Sequence, residues 1–131
     1  MPRSIDPLHA RKLLIGMVHA QALPGTPRAR LPIARIARDA AAEARVLIRA
    51  GFDAIIVENM HDRPYVHQAH GPEVSAAMTA IAISVREAAG PGFPLGIQVL
   101  SGGNHEALAI ALAADCQFIR CENFVFSHVA D

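Results

Sequence analysis

The sequence predicts an α/β chain that makes the amino-terminal half of a TIM (β/α)8 barrel, with four parallel strands and three helices. Three observations lead there. Short runs that are apolar on both faces alternate with amphipathic helical stretches, the pattern of a parallel sheet covered by helices. Connections into the strands are short, whereas those leaving the first two strands are long. A faint internal repeat aligns AGFDAIIVEN, ending at Asn59, with ADCQFIRCEN, ending at Asn123. That offset of 64 residues is two units of about 32, the size of one βα unit. A flavodoxin-like open sheet would begin similarly, but its first loop normally cradles phosphate with glycines, and AQALPGTPRARLP is not such a run.

Leu13 to His19 (LLIGMVH) is the first strand, an apolar run between charge and a Pro-Gly-rich loop. Ile33, Ile36, Ala37, Ala40, Ala44, Leu47 and Ile48 then recur at helical spacing, with Arg35, Arg38, Arg45 and Arg49 opposite. Gly51 ends that helix. AIIVE, from Ala54 to Glu58, is the second strand. Pro72 suits the first turn of a second helix, with Val74, Ala77, Met78, Ile81 and Val85 as its buried stripe and Gly90-Pro91 as its stop. Leu95 to Leu100 is the third strand. Asn104 is expected to cap a third helix through Leu112, and Phe118 to Cys121 forms the fourth strand. The whole of 1–131 reads as one partial barrel domain.

Composition removes several function classes. With 12 basic and 12 acidic residues and 5% aromatics, the chain lacks the positive field and stacking platforms of a nucleic-acid binder. A hydrophobic content of 52% with 18% charge excludes disorder. Cys116 and Cys121 are no CxxC pair and read as reduced, buried thiols. The start, MPRSIDPLHARKLL, lacks a secretion signal, and no run reaches membrane-spanning length. A soluble, cytoplasmic protein is expected.

In (β/α)8 barrels the loops after the strands build the active site. Here those loops, Ala20 to Pro32 and Asn59 to Gly71, are long enough to suggest function. Pleat alternation sends Gly96, Gln98 and Leu100 inward, and likewise Phe118, Arg120 and Glu122, since a charged pair cannot cheaply sit under helices. The repeat gives Glu58 the same orientation. Alternate strands share interior layers, so Glu58 and Glu122 are expected to approach each other, with Arg120 nearby. Two readings stand. In one, Glu58 or Glu122 is a general base or metal ligand and Arg120 an anion clamp, with Gln98 among the ligand contacts. In the other, the charges form an ion-paired plug, and Arg120→Ala costs ~3–5 kcal/mol.

His19, at the end of the first strand, has acid, base or ligand chemistry, or is satisfied by a loop carbonyl. Asn59 and Asn123 either contact a ligand or turn outward and cap loops. Prolines 24, 27 and 32 predict a semi-rigid first loop over the mouth, presenting Arg28 and Arg30 to a ligand or partner. His61, Asp62, His67 and His70 lack compact zinc-ligand spacing and read as solvated loop residues, so no metal site is predicted. Ser127, His128 and Asp131 have triad chemistry by type only. No motif names a cofactor.

GMVHAQALPGTPR (Gly16 to Arg28), IVENMHDRPY (Ile56 to Tyr65) and GIQVLSGGNHEALAIA (Gly96 to Ala111), in this order at the strand ends, resemble the BtpA/SgcQ family. The resemblance implies a barrel of the ribulose-phosphate-binding type. It implies kinship with cyanobacterial proteins needed for photosystem I accumulation and with bacterial members of sugar-utilisation gene clusters. It transfers no agreed catalytic residues. It also implies a second half barrel in the family's chains, as the ~250-residue size of the fold requires. Two expectations follow: an enzyme, or relic of one, acting on a small polar or phosphorylated metabolite, or a non-catalytic assembly factor. Four βα units leave strand edges and inward faces such as Ile15, Met17, Ile56 and Leu100 open, so a homo-oligomer or a longer parent chain is expected.

Overall fold

A computed structural model describes residues 12–125. The first eleven residues, and Ser127, His128 and Asp131 with their triad chemistry, lie outside the described residues. Four strands, β1 (Ile15–His19), β2 (Ala54–Glu58), β3 (Leu95–Gln98) and β4 (Phe118–Ile119), form one parallel sheet in the order β1-β2-β3-β4. Helices α1 (Ile33–Arg49), α2 (Pro72–Ala89) and α3 (Asn104–Ala113) connect them in turn. The architecture is that of a partial α/β barrel, and β1 and β4 are its edges.

One side of the sheet is sealed by the helices. Val18, Ile55, Val57, Leu95, Ile97 and Val99 pack there against Ile36 and the alanines of α1, Met78, Ile81 and Val85 of α2, and Ile110 of α3. The alanines at 37, 40, 41 and 44 of α1 are all buried. Side chains this small let helix and sheet approach closely, which answers to the sequence's alanine-rich stripe. Pro72 sits in the first turn of α2 as expected. Gly51, with φ of +90°, takes the left-handed conformation that ends α1.

Strand β2 has the expected bounds, and the other three are shorter than the sequence predicts. Leu13 and Leu14 precede the ladder of β1, and β3 and β4 stop at Gln98 and Ile119. Beyond β3 the backbone leaves the sheet, because the Asn59 side chain takes both the N–H and C=O of Leu100. Asn104 does not cap α3. The N-cap is Gly103, and no side chain bonds the first turn.

At the amino ends of the strands one side chain ties the connections together. Arg86 of α2 donates to the carbonyls of Gly90, Phe93 and Asp115 and to Gln117 Oε1. A guanidinium with five N–H groups can serve several carbonyls that no helix or ladder satisfies.

On the interior side Ile15 is exposed, Met17 half-buried and Ile56 buried at 4%. The expected wetting of Ile56 is therefore not found. Phe118 folds across Gly96, where any Cβ would collide with its ring. The aromatic side chain thus covers part of the interior that an open half barrel would leave bare.

Candidate functional site at the carboxyl ends of the strands

The register draws four polar side chains into one line. His19 of β1 pairs with Glu58 of β2, and Glu58 with Gln98 of β3. Continuing the β3–β4 register of Ile97 and Ile119 by one residue sets Arg120 beside Gln98. Residues opposite one another in a parallel ladder face the same way. This row is therefore a single rung on the interior side, at the end of the strands where the long loops begin.

Glu58 is its centre. The side chain is 4% exposed, and both oxygens are engaged: Oε1 lies 2.8 Å from His19 Nε2, and Oε2 accepts from Arg120 Nη2 at 2.7 Å. Arg120 reaches over β3 to make that contact, and its Nε donates to Gln98 Oε1 on the way. Nη1 lies 4.0 Å from Met17 Sδ, so the guanidinium spans the interior from β4 to β1. The carboxylate is buried, whereas Arg120 and His19 are partly open, with side chains 49% and 39% exposed. The His61 ring approaches His19 edge-on, 6.4 Å between centroids.

Glu122 stands apart from this row. Its Oε2 accepts from the Gly102 amide at 2.6 Å, and Asn104 brackets its backbone, accepting from Glu122 N and donating to Glu122 O. Among the described residues Glu122 makes no ion pair with Arg120. Among the described residues no hydrogen bond or ion pair joins Glu122 to Glu58: β4 leaves the ladder after Ile119, and Glu122 turns to the β3–α3 loop. Asn123 has a positive φ of 55° and a buried amide nitrogen without a hydrogen-bond partner.

Asn59 is buried and fully occupied. Its amide donates to Asp62 Oδ2 and Leu100 O, and its oxygen accepts from Leu100 N. Asp62, also buried, accepts from the Leu23 amide with Oδ1 at 2.8 Å. Two side chains thereby clasp the loops after β1, β2 and β3. The sequence reading missed Asp62, because nothing in HDRP separates a buried loop carboxylate from a solvated one. His67 and His70 are also less free than expected, since Nδ1 of the first and Nε2 of the second lie within hydrogen-bond reach of Ser101. The first loop is ordered by the Leu23–Asp62 bond and by turns at Thr26 and Ala29. Arg28 and Arg30 on it are exposed, and neither bonds to the polar row. Cys121 is exposed and Cys116 half-buried, so only one thiol approaches the expected burial.

A sequence model of the BtpA family matches residues 10–131. The chain belongs to the BtpA family. An uncharacterised mitochondrial protein of Caenorhabditis elegans is 45% identical over 125 residues, which cover 93% of this chain and 45% of the relative. An uncharacterised protein of Archaeoglobus fulgidus is 38% identical, over 91% of this chain and 47% of its own length. The photosystem I biogenesis protein BtpA of Synechocystis is also 38% identical, over 82% of this chain and 37% of that protein. The chain spans about half or less of the length of these curated relatives. No solved structure matches it. Among the described residues no helix is long and apolar enough to cross a membrane.

Proposed function

We propose that this family member carries the acid–base half of a small-molecule site, in a barrel of the ribulose-phosphate-binding type, acting on a small polar or phosphorylated metabolite. The contact between His19 Nε2 and Glu58 Oε1 at 2.8 Å carries this reading. An ionised carboxylate only accepts, so Glu58 fixes His19 as the tautomer protonated on Nε2. Nδ1 is then the proton acceptor, and Glu58 stabilises the imidazolium that forms, the role a buried carboxylate plays behind a catalytic histidine. Arg120 pairs with Glu58 at 2.7 Å and offers its open face to an anion.

The test follows consumption of a panel of sugars, sugar phosphates and sugar acids by NMR. The expected result is turnover that falls about 10²–10⁴-fold in His19→Asn and Glu58→Gln, the range of a general base. Turnover unchanged in both variants would remove the reading.

A second reading, an assembly factor, draws on the Synechocystis relative's name and on the exposed Arg28 and Arg30 of the ordered first loop. Under it, the chain would restore photosystem I accumulation to a Synechocystis strain lacking that relative, with His19→Asn in place but not with Arg28→Glu and Arg30→Glu. Both readings take the protein to be cytoplasmic and the open edges of β1 and β4 to receive another (β/α)4 unit. That unit is either a second copy or the remainder of a longer chain. Light scattering on the 131-residue chain decides for a second copy if it gives twice the monomer mass.

A further inference from the structure

Most of the hydrogen-bonding capacity of the polar row is used internally, and what is left over has one character. Both Glu58 oxygens are taken, by His19 and Arg120. Gln98 is 3% exposed, and its Oε1 accepts from Arg120 Nε. Arginine has no acceptor, so it is the oxygen of the Gln98 amide that faces it, and the NH2 lies on the other side of the same planar group. Among the described residues that NH2 has no hydrogen-bond acceptor. Solvent reaches this nitrogen although the residue as a whole is buried, so an incoming acceptor can reach it too. Arg120 Nη1 has only the distant Met17 sulfur, a weak acceptor.

We infer that Gln98 Nε2 and Arg120 Nη1 together form a binding site for the carboxylate of a small monocarboxylate ligand. The inference rests on the reading of the row as a ligand site and names the ligand's class. Two planar donor groups on adjacent strands match the two oxygens of a planar carboxylate. Charge selects against phosphate. The Arg120 cation is already balanced by Glu58 2.7 Å away, so any anion meets donors but no net positive charge, a setting that costs a dianion more than a monoanion. His19, on the far side of Glu58, is then left for the rest of the ligand.

The test uses the ¹⁵N-labelled chain, reading the Gln98 Nε2 and Arg120 Nε resonances during titration with sodium acetate, pyruvate or inorganic phosphate at constant ionic strength. The expected result is a saturable shift of both resonances with acetate and pyruvate, and none with phosphate. Gln98→Glu keeps an oxygen for Arg120 Nε but replaces the donor by a repelling oxygen. It should weaken acetate binding at least about tenfold, a factor equivalent to 1.4 kcal/mol. Binding lost in Arg120→Met but kept in Gln98→Glu overturns the Gln98 assignment and leaves the ligand reading of the row intact. Binding indifferent to both variants overturns both. Phosphate binding without carboxylate binding, or no saturable shift in the wild-type chain, also overturns the inference, and these two results need no variant to fold.

Discussion

On the helix side of the sheet, Val18, Ile55, Val57, Leu95, Ile97 and Val99 are at most 1% exposed and pack into one apolar cluster with residues of three helices. On the interior side the same strands present Ile15 at 39% exposure, a half-buried Met17 and, one rung higher, His19, Glu58, Gln98 and Arg120. The first surface is held by volume and the second by pairing. Apolar burial on the helix side is complete within this chain, so that side specifies the fold. The interior keeps open donors and wet apolar atoms, so that side is arranged for something that comes to it.

The largest expected difference between the sides comes from removing one aliphatic side chain from each. Ile97→Ala opens a cavity in the sealed core and should cost about 2–5 kcal/mol. Ile15→Ala, on the open interior, should change stability by no more than about 0.5 kcal/mol. Urea denaturation of the two variants measures both. Equal losses would mean that the interior is as tightly covered as the helix side in solution, as a second (β/α)4 unit over it would cause.

Next in size is the clasp above the row. Asn59→Ala strands a buried Asp62 oxygen and both backbone groups of Leu100, and should cost about 1–3 kcal/mol. Amide hydrogen exchange should rise at Leu23 and Leu100 without rising at Ile97. Uniform loss of protection would instead make Asn59 part of the global core, and the division between the faces would not hold.

How much of this was legible follows the same division. Helical and strand periodicity reports apolar volume, so the element order, Pro72 at the start of α2 and the inward side of Gln98 and Arg120 could all be read from the sequence. The row itself was half legible. Parity sent Glu58, Gln98 and Arg120 inward, but it also sent Glu122, because parity assumes that the strand continues, and β4 leaves its ladder at Ile119. Partner choice was not legible for the same physical reason. That Asn59 holds Leu100, or Asp62 the Leu23 amide, depends on loop paths across 41 and 39 residues of separation. No local pattern encodes such paths.

Arg120→Ala comes third. A fully buried cluster would lose ~3–5 kcal/mol on such a change. The guanidinium here is 49% exposed, so water screens the pair and can solvate part of what remains. The expected loss is about 1–2 kcal/mol. A double-mutant cycle with Glu58→Gln isolates the pair. Coupling above about 3 kcal/mol would favour the ion-paired plug over an open ligand site.

The smallest effect concerns the two thiols, one on each side of the comparison. Cys116, between α3 and β4, packs against the helix-side core. Burial pushes its pKa up from 9.0 to about 11, against a downward pull from Arg86 and with a small rise from Asp115. Only the thiolate attacks disulfide reagents, and two pH units mean roughly a hundredfold less of it at pH 8. Cys121, beyond the end of β4, is exposed. Native protein mixed with an aromatic disulfide reagent at pH 8 should therefore release one equivalent of thiol quickly and the second at least tens of times more slowly. In denaturant both should react together. The folded value lies above the unfolded one, so the contribution of Cys116 to stability is complete below pH 9 and disappears as pH rises toward 11. Chemical melts in that interval should show a loss that Cys116→Ala abolishes. Equal native reaction rates at pH 8 would mean that the α3–β4 corner opens as readily as the mouth, and the helix side would no longer count as sealed at that end.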